Sequence, residues 1–196
     1  MVNEHRCFLA IDIEPNLVQK IEEVQKEFKK TNNNVKYVKT ENLHFTLKFF
    51  GNVSDTKINE IKKAIDKVLS NVSNNDDKDE NNSKTELIIK GIGTFPNKNY
   101  MKVLWIGTQN NSFLLNLQKE LDSEFTKLGF KKEKNFKTHL TIGRIRNLKD
   151  KNEFKEKIDE LKNISIGTMN ISKISLKKSE LTPKGPIYSD IEIFEI

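Results

Sequence analysis

The sequence predicts an α+β fold: two pseudo-symmetric lobes of mostly antiparallel sheet, helices outside them, and a central cleft between. Three observations carry this. Strand-like and helix-like segments alternate along the whole chain. Both halves run in the same order: strand, helix, a strand bearing a His-x-Thr tetrapeptide, helix, strand. The two tetrapeptides, His44-Phe45-Thr46-Leu47 and His139-Leu140-Thr141-Ile142, lie close to half the chain length apart.

The elements follow in order. Arg6–Ile13 reads as a strand with Phe8, Ala10 and Asp12 on one face. Pro15 suits the first turn of a helix whose apolar stripe is Leu17, Ile21, Val24 and Phe28, ending at the polar run Thr31–Asn34. Val35–Val38 is a short strand, and Leu43–Phe50 carries the first tetrapeptide on a strand closed by Gly51. Ser54 and Asp55 can cap a helix bearing Ile58, Ile61, Ile65 and Val68. Residues 71–83 are almost wholly polar and read as a mobile surface loop within one domain spanning 1–196.

Beyond that loop, Thr85–Ile92 is a strand and Gly93–Asn99 a turn region. Val103–Ile106 is a strand, and Phe113, Leu114, Leu117, Leu121, Phe125 and Leu128 line a helix stopped by Gly129. Phe136–Ile145 holds the second tetrapeptide. Asp150 opens a helix with Phe154, Ile158 and Leu161, and strands at Met169–Leu176 and Tyr188–Phe194 close the chain.

Composition narrows the function. Hydrophobic residues make up 35% of the chain, and no apolar run is long enough for a membrane span. The amino terminus passes directly into a strand without the layout of a signal peptide. The single cysteine, Cys7, excludes an internal disulfide and a multi-thiolate metal site, which suits a reducing cytoplasm. A net charge of +6 favours anionic partners, although lysines on solvated helix faces give the same balance.

The tetrapeptides carry the chemistry. On a strand, residues two apart share a face, so each His projects with its Thr while Phe45, Leu47, Leu140 and Ile142 face a core. Two such strands side by side offer two imidazoles and two hydroxyls to one cleft. Only three histidines are present, and chance places Thr two positions after two of them about one time in a hundred. His5, near the terminus, lacks a partner Thr.

With these residues the chain resembles the two-histidine (2H) phosphoesterases, and within them the archaeal and bacterial RNA 2′,3′-cyclic phosphodiesterases of the LigT type. The likeness spans Arg6–Asp12, Asn42–Gly51, His139–Arg144 and Lys178–Tyr188, in that order and spacing. Thr138 stands where the family usually has Pro, Phe50 where Leu is usual, and Tyr37 at a position often filled by Trp. The resemblance implies the bilobal LigT-like fold and metal-independent hydrolysis of a 2′,3′-cyclic phosphate on RNA or a nucleotide to a 2′-phosphomonoester. Reversible 2′–5′ RNA ligation is described for some relatives. No cofactor and no metal are implied, the partner is an RNA or nucleotide end, and the chain is expected to be a monomer.

By the same analogy His44 is the general acid and His139 the general base; the sequence supplies the pair but not the direction. Histidine suits either role near neutral pH. Thr46 and Thr141 offer stiff hydroxyl donors for non-bridging phosphate oxygens. Arg144 is a candidate phosphate clamp, although its odd offset from His139 requires a bulge or bend to bring it to the same face. Arg6 and Tyr188 are further candidates at the cleft, against readings as a solvated cation and a core tyrosine. Rival functions are a zinc hydrolase, for which no ligand spacing is present, an RNA-binding module without turnover, and the same chemistry on another cyclic or 2′–5′ linked nucleotide.

Overall fold

The structure, a computed structural model, describes residues 3–76 and 85–196. Among these the strands are β1 (Glu4–Asp12), β2 (Asn33–Tyr37), β3 (His44–Ser54), β4 (Glu86–Asn97), β5 (Tyr100–Gln109), β6 (Leu140–Leu148), β7 (Ser165–Asn170), β8 (Lys173–Thr182) and β9 (Gly185–Glu195). The α-helices accompanying them are α1 (Pro15–Lys29), α2 (Asp55–Asp76), α3 (Ser112–Lys127) and α4 (Lys151–Leu161). All strand pairings are antiparallel, in the order β7-β4-β5-β6-β3-β1-β8-β9, with β2 also on β6. The two expected sheets are the halves of this array. They join through a single register pair, Phe45↔Leu140, where the two tetrapeptide strands meet.

The lobes do not follow the halves of the chain. One comprises β1, β3, β8 and β9, with α2 against β3 and α3 against α2. The other comprises β2, β4, β5, β6 and β7, with α1 and α4 packed together and α4 on β4. Helix α1 leaves β1 and crosses to the second lobe; α3 leaves β5 and reaches back to the first. Each crossing helix therefore carries its own half's apolar stripe onto the opposite sheet. Leu17, Ile21, Val24 and Phe28 of α1 and Leu114, Leu117, Leu121 and Phe125 of α3 are all buried.

Several element boundaries differ from the sequence reading. β3 runs past Gly51 to Ser54; Gly51 has φ +75 and open space around its Cα, so the ladder continues through it. The Ser54 hydroxyl accepts from the Lys57 amide, the N-cap bond expected of it. The polar segment predicted as a loop begins as helix: residues 71–76 complete α2, with Val72 packed against the core, and residues 77–83 lie outside the described residues. Gly93–Asn97 is strand, not turn. Any Cβ at Gly93 would lie 2.2 Å from the Trp105 indole, so Gly there lets the ring lie on the backbone. Met169–Leu176 is two strands broken at Ile171 and Ser172, and these lie in different lobes. Residues 136–139 are outside β6, so His139 precedes the ladder instead of sitting within it.

Candidate active site

Alternation divides each strand between the core and the cleft. In β1, Cys7, Leu9 and Ile11 belong to the core, while Arg6, Phe8, Ala10 and Asp12 share the opposite face. Asp12 pairs with His44 and Ala10 with Thr46, so the first His–Thr pair stands beside that face while Phe45 and Leu47 are buried. In β6, Leu140 and Ile142 are fully buried and Thr141 is turned outward. Extending the Phe45↔Leu140 register by one residue sets His44 opposite Thr141 and Thr46 opposite His139. On that extended register the two histidines are diagonal neighbours, residues whose backbones stand roughly 7–8 Å apart on an antiparallel pair.

Each histidine is oriented in the same way. Nδ1 of His44 lies 2.8 Å from the Asn42 carbonyl oxygen, and Nδ1 of His139 lies 2.7 Å from that of Lys137. A carbonyl only accepts, so Nδ1 carries the hydrogen and Nε2 of the neutral ring is left for proton transfer. The rings differ in what packs on them. His44 is wedged between Phe8, at 5.0 Å, and Tyr188, at 5.4 Å and edge-on. His139 meets the edge of Phe95 at 4.9 Å. Burial against the two aromatic rings holds His44 below the usual histidine range. The Asn42 carbonyl and the Asp12 carboxylate oppose that shift, whereas Lys177 and Arg144 reinforce it.

The bend required by Arg144 is present. Opposite β5, Leu104 pairs with Gly143 and Trp105 with Thr141, so Ile142 is the extra residue of a β-bulge. Ile142 and Gly143 both turn inward, and Arg144 emerges on the same face as Thr141. A Cβ at Gly143 would lie 2.8 Å from Val35, so glycine admits this turn. β3 repeats the device: Leu9 pairs with Lys48 and Ala10 with Thr46, skipping Leu47, and Phe49 emerges 62% exposed with its ring tilted against Phe8 at 5.8 Å. Phe49 is therefore the positional counterpart of Arg144, five residues after His44 as Arg144 is five after His139.

Arg6 and Arg144 are both exposed, and both act on the Tyr188 phenol, whose pKa burial raises while the two cations pull it down. Register sets His44, Thr46, Thr141 and Arg144 on one face of the sheet, His139 stands at the entry to β6, and Tyr188 reaches that face by its ring contact with His44 and feels the charge of Arg6 and Arg144. Sequence reading missed three groups around them. Phe95 lies in the segment read as a turn. Lys36, paired with Arg144 in register, lies on a strand too short to phase from sequence. Lys177 is 10% exposed and held by Asp12 at 2.9 Å and Asp190 at 2.6 Å, a buried cation two residues from an alternating polar stretch that signals nothing alone. Among the described residues no cluster of His, Cys, Asp and Glu could hold a metal ion, and no helix is long and apolar enough to cross a membrane.

The chain is similar to known proteins over nearly its whole length. The sequence profile described as LigT like Phosphoesterase matches twice, over residues 11–105 and 106–188, and each match contains one His–Thr pair. The chain is 40% identical over 191 residues to the RNA 2′,3′-cyclic phosphodiesterase of Methanothermobacter thermautotrophicus, covering 97% of this chain and 98% of that one. It is 40% identical over 187 residues to the protein of the same name from Methanocaldococcus jannaschii, covering 95% and 98%. The fold matches TT0787 of Thermus thermophilus with a TM-score of 0.73 at 20% identity, covering 97% of each chain. It also matches E. coli LigT complexed with 3′-AMP, with a TM-score of 0.69 at 20% identity and 99% of each chain. A doubled His-x-Thr site on a doubled fold, matched once in each half, places this chain in the LigT-like family of 2H phosphoesterases.

Proposed function

We propose that the chain opens 2′,3′-cyclic phosphates on RNA ends or nucleotides, without a metal ion, to give 2′-phosphomonoesters. The observation that carries this reading is the duplicated histidine geometry, with each Nδ1–H engaged by the carbonyl two residues back and each Nε2 left for proton transfer. Near-full-length relatives named for that substrate support it.

In this mechanism Nε2 of His139 takes a proton from water as its oxygen attacks phosphorus. The P–O3′ bond breaks in line, and Nε2–H of His44 delivers a proton to the leaving O3′. Thr46 and Thr141 donate to the non-bridging oxygens, where charge accumulates, and Arg144 balances that charge. Arg6 and Tyr188 line the path of the adjoining nucleotide. Burial disfavours the charged form of His44; the phosphodiester anion supplies the opposite charge that lets it hold the proton it must donate. An RNA 5′-hydroxyl in place of water would give 2′–5′ ligation by the same two proton transfers, and their reverse would cleave the 2′–5′ bond. The reading is of a monomer acting in the cytoplasm.

Product analysis tests it. A nucleoside 2′,3′-cyclic phosphate is incubated with the protein in EDTA, and the product is resolved by phosphorus NMR. A 2′-phosphate is expected. A 3′-phosphate would mean the other ribose oxygen leaves, and no turnover would leave only a binding module.

A further inference from the structure

The structure assigns Gln25 the role of a positioning residue for Arg144, acting through the bulge at Ile142. Gln25 lies on α1 within the apolar stripe of Ile21, Val24 and Phe28, and is 4% exposed. A buried amide is unfavourable there unless its hydrogen bonds are made. Both N–H groups are used: Nε2 donates to the Val38 carbonyl at 2.8 Å and to the Ile142 carbonyl at 3.0 Å. The Val38 amide donates to the same Ile142 oxygen at 3.0 Å, filling both of its lone pairs.

The position of Ile142 explains what this accomplishes. It is the residue skipped in the ladder with β5, so β5 does not fix its peptide plane. That plane decides whether the strand flips and Arg144 emerges toward Thr141 or away from it. Gln25 holds it and ties it to Val38, six residues before His44. One side chain on a helix thus connects the cation's bend to the segment that leads into the other histidine.

The same solution occurs in the other half of the fold. Gln118 lies on α3, is 5% exposed, and its Nε2 reaches the carbonyl of Leu47 at 3.5 Å. Leu47 is the residue skipped in β3 and, like Ile142, stands three after its histidine. Crossing helices in both lobes therefore place a buried glutamine amide on the bulge carbonyl of a catalytic strand.

The inference rests on Arg144 holding the substrate phosphate, and a double-mutant cycle separates the two claims. Gln25→Leu, Arg144→Ala and the double variant are compared on a nucleoside 2′,3′-cyclic phosphate, with melting temperature recorded for each. Gln25→Leu is expected to raise KM about tenfold with a smaller change in kcat, as displacement of a binding group does. In the Arg144→Ala background the same change is expected to raise KM less than twofold. Additive effects, or wild-type kinetics in Gln25→Leu, overturn the positioning role while leaving Arg144 in place. An Arg144→Ala variant with wild-type kinetics would overturn both claims. Gln25→Met, which keeps an unbranched chain of similar length, serves the same cycle if the leucine variant does not fold.

Discussion

Replacing Asp122 with alanine should be among the most damaging changes outside the cleft. Asp122 on α3 and Lys48 on β3 form an ion pair at 2.5 Å with side chains 5% and 6% exposed. Lys48 also donates to the Lys131 carbonyl at 2.5 Å, and the other Asp122 oxygen accepts the Glu133 amide at 2.9 Å. The node therefore pins the segment between α3 and His139. Removing the carboxylate leaves an ammonium buried with one carbonyl for company, and breaking such a pair costs about 3–5 kcal/mol. For a chain of this size each kcal/mol shifts the melting temperature by roughly 2–4 °C, so Asp122→Ala should melt about 6–20 °C lower. Replacing both partners, Lys48→Met with Asp122→Leu, should recover most of that loss, because the stranded charge is gone. Thermal unfolding followed by circular dichroism reads all three. A single variant melting within about 2 °C of wild type, or a double variant no better than the single, would mean that the stranded charge is not what destabilises the fold.

Other outcomes follow from the site. Alanine at His44 or His139 should each lower kcat by about 10²–10⁴-fold with the melting temperature little changed, in the presence of EDTA as in its absence. The rate should be bell-shaped in pH, with limbs that belong to the coupled pair. As the proton donor, His44 must be protonated, so activity falls as pH rises through its pKa. Burial sets that pKa below the usual value in the free enzyme, and bound anion raises it. The basic limb of kcat/KM should therefore fall at lower pH than the basic limb of kcat; coincident limbs would contradict this. Burial pushes the Cys7 thiol up to about 11, so iodoacetamide at pH 8 should label it only after unfolding, as mass spectrometry of native and denatured samples would show.

The tetrapeptides were legible because two physical rules meet in them: a period of two fixes which side chains share a face, and histidine beside a hydroxyl has few structural reasons to recur. Pro15, Asp150 and Gly129 marked helix ends through their backbone preferences, and the structure uses all three so. What escaped the sequence depends on contacts distant in the chain. Gly93 reads as a turn residue until Trp105 is laid across it. Ile171 and Ser172 carry no breaker signal, yet the chain there leaves one lobe for the other. The glutamines at 25 and 118 sit within apolar stripes, and only the bulges opposite them give those amides a partner. Interleaving of the halves between lobes was equally hidden, since a helix pattern shows an apolar face without showing which sheet it covers.

The proposed mechanism requires one phosphorus atom between the two Nε2 atoms. A crystal structure with a nucleoside 2′-phosphate bound tests it directly. The phosphate is expected over the Phe45↔Leu140 junction, with His139 within hydrogen-bond distance of one terminal oxygen, His44 within that distance of the ribose 3′-hydroxyl on the opposite side of phosphorus, and the threonine hydroxyls on the other two terminal oxygens. A phosphate touching one histidine alone, or seated away from that junction, would contradict it.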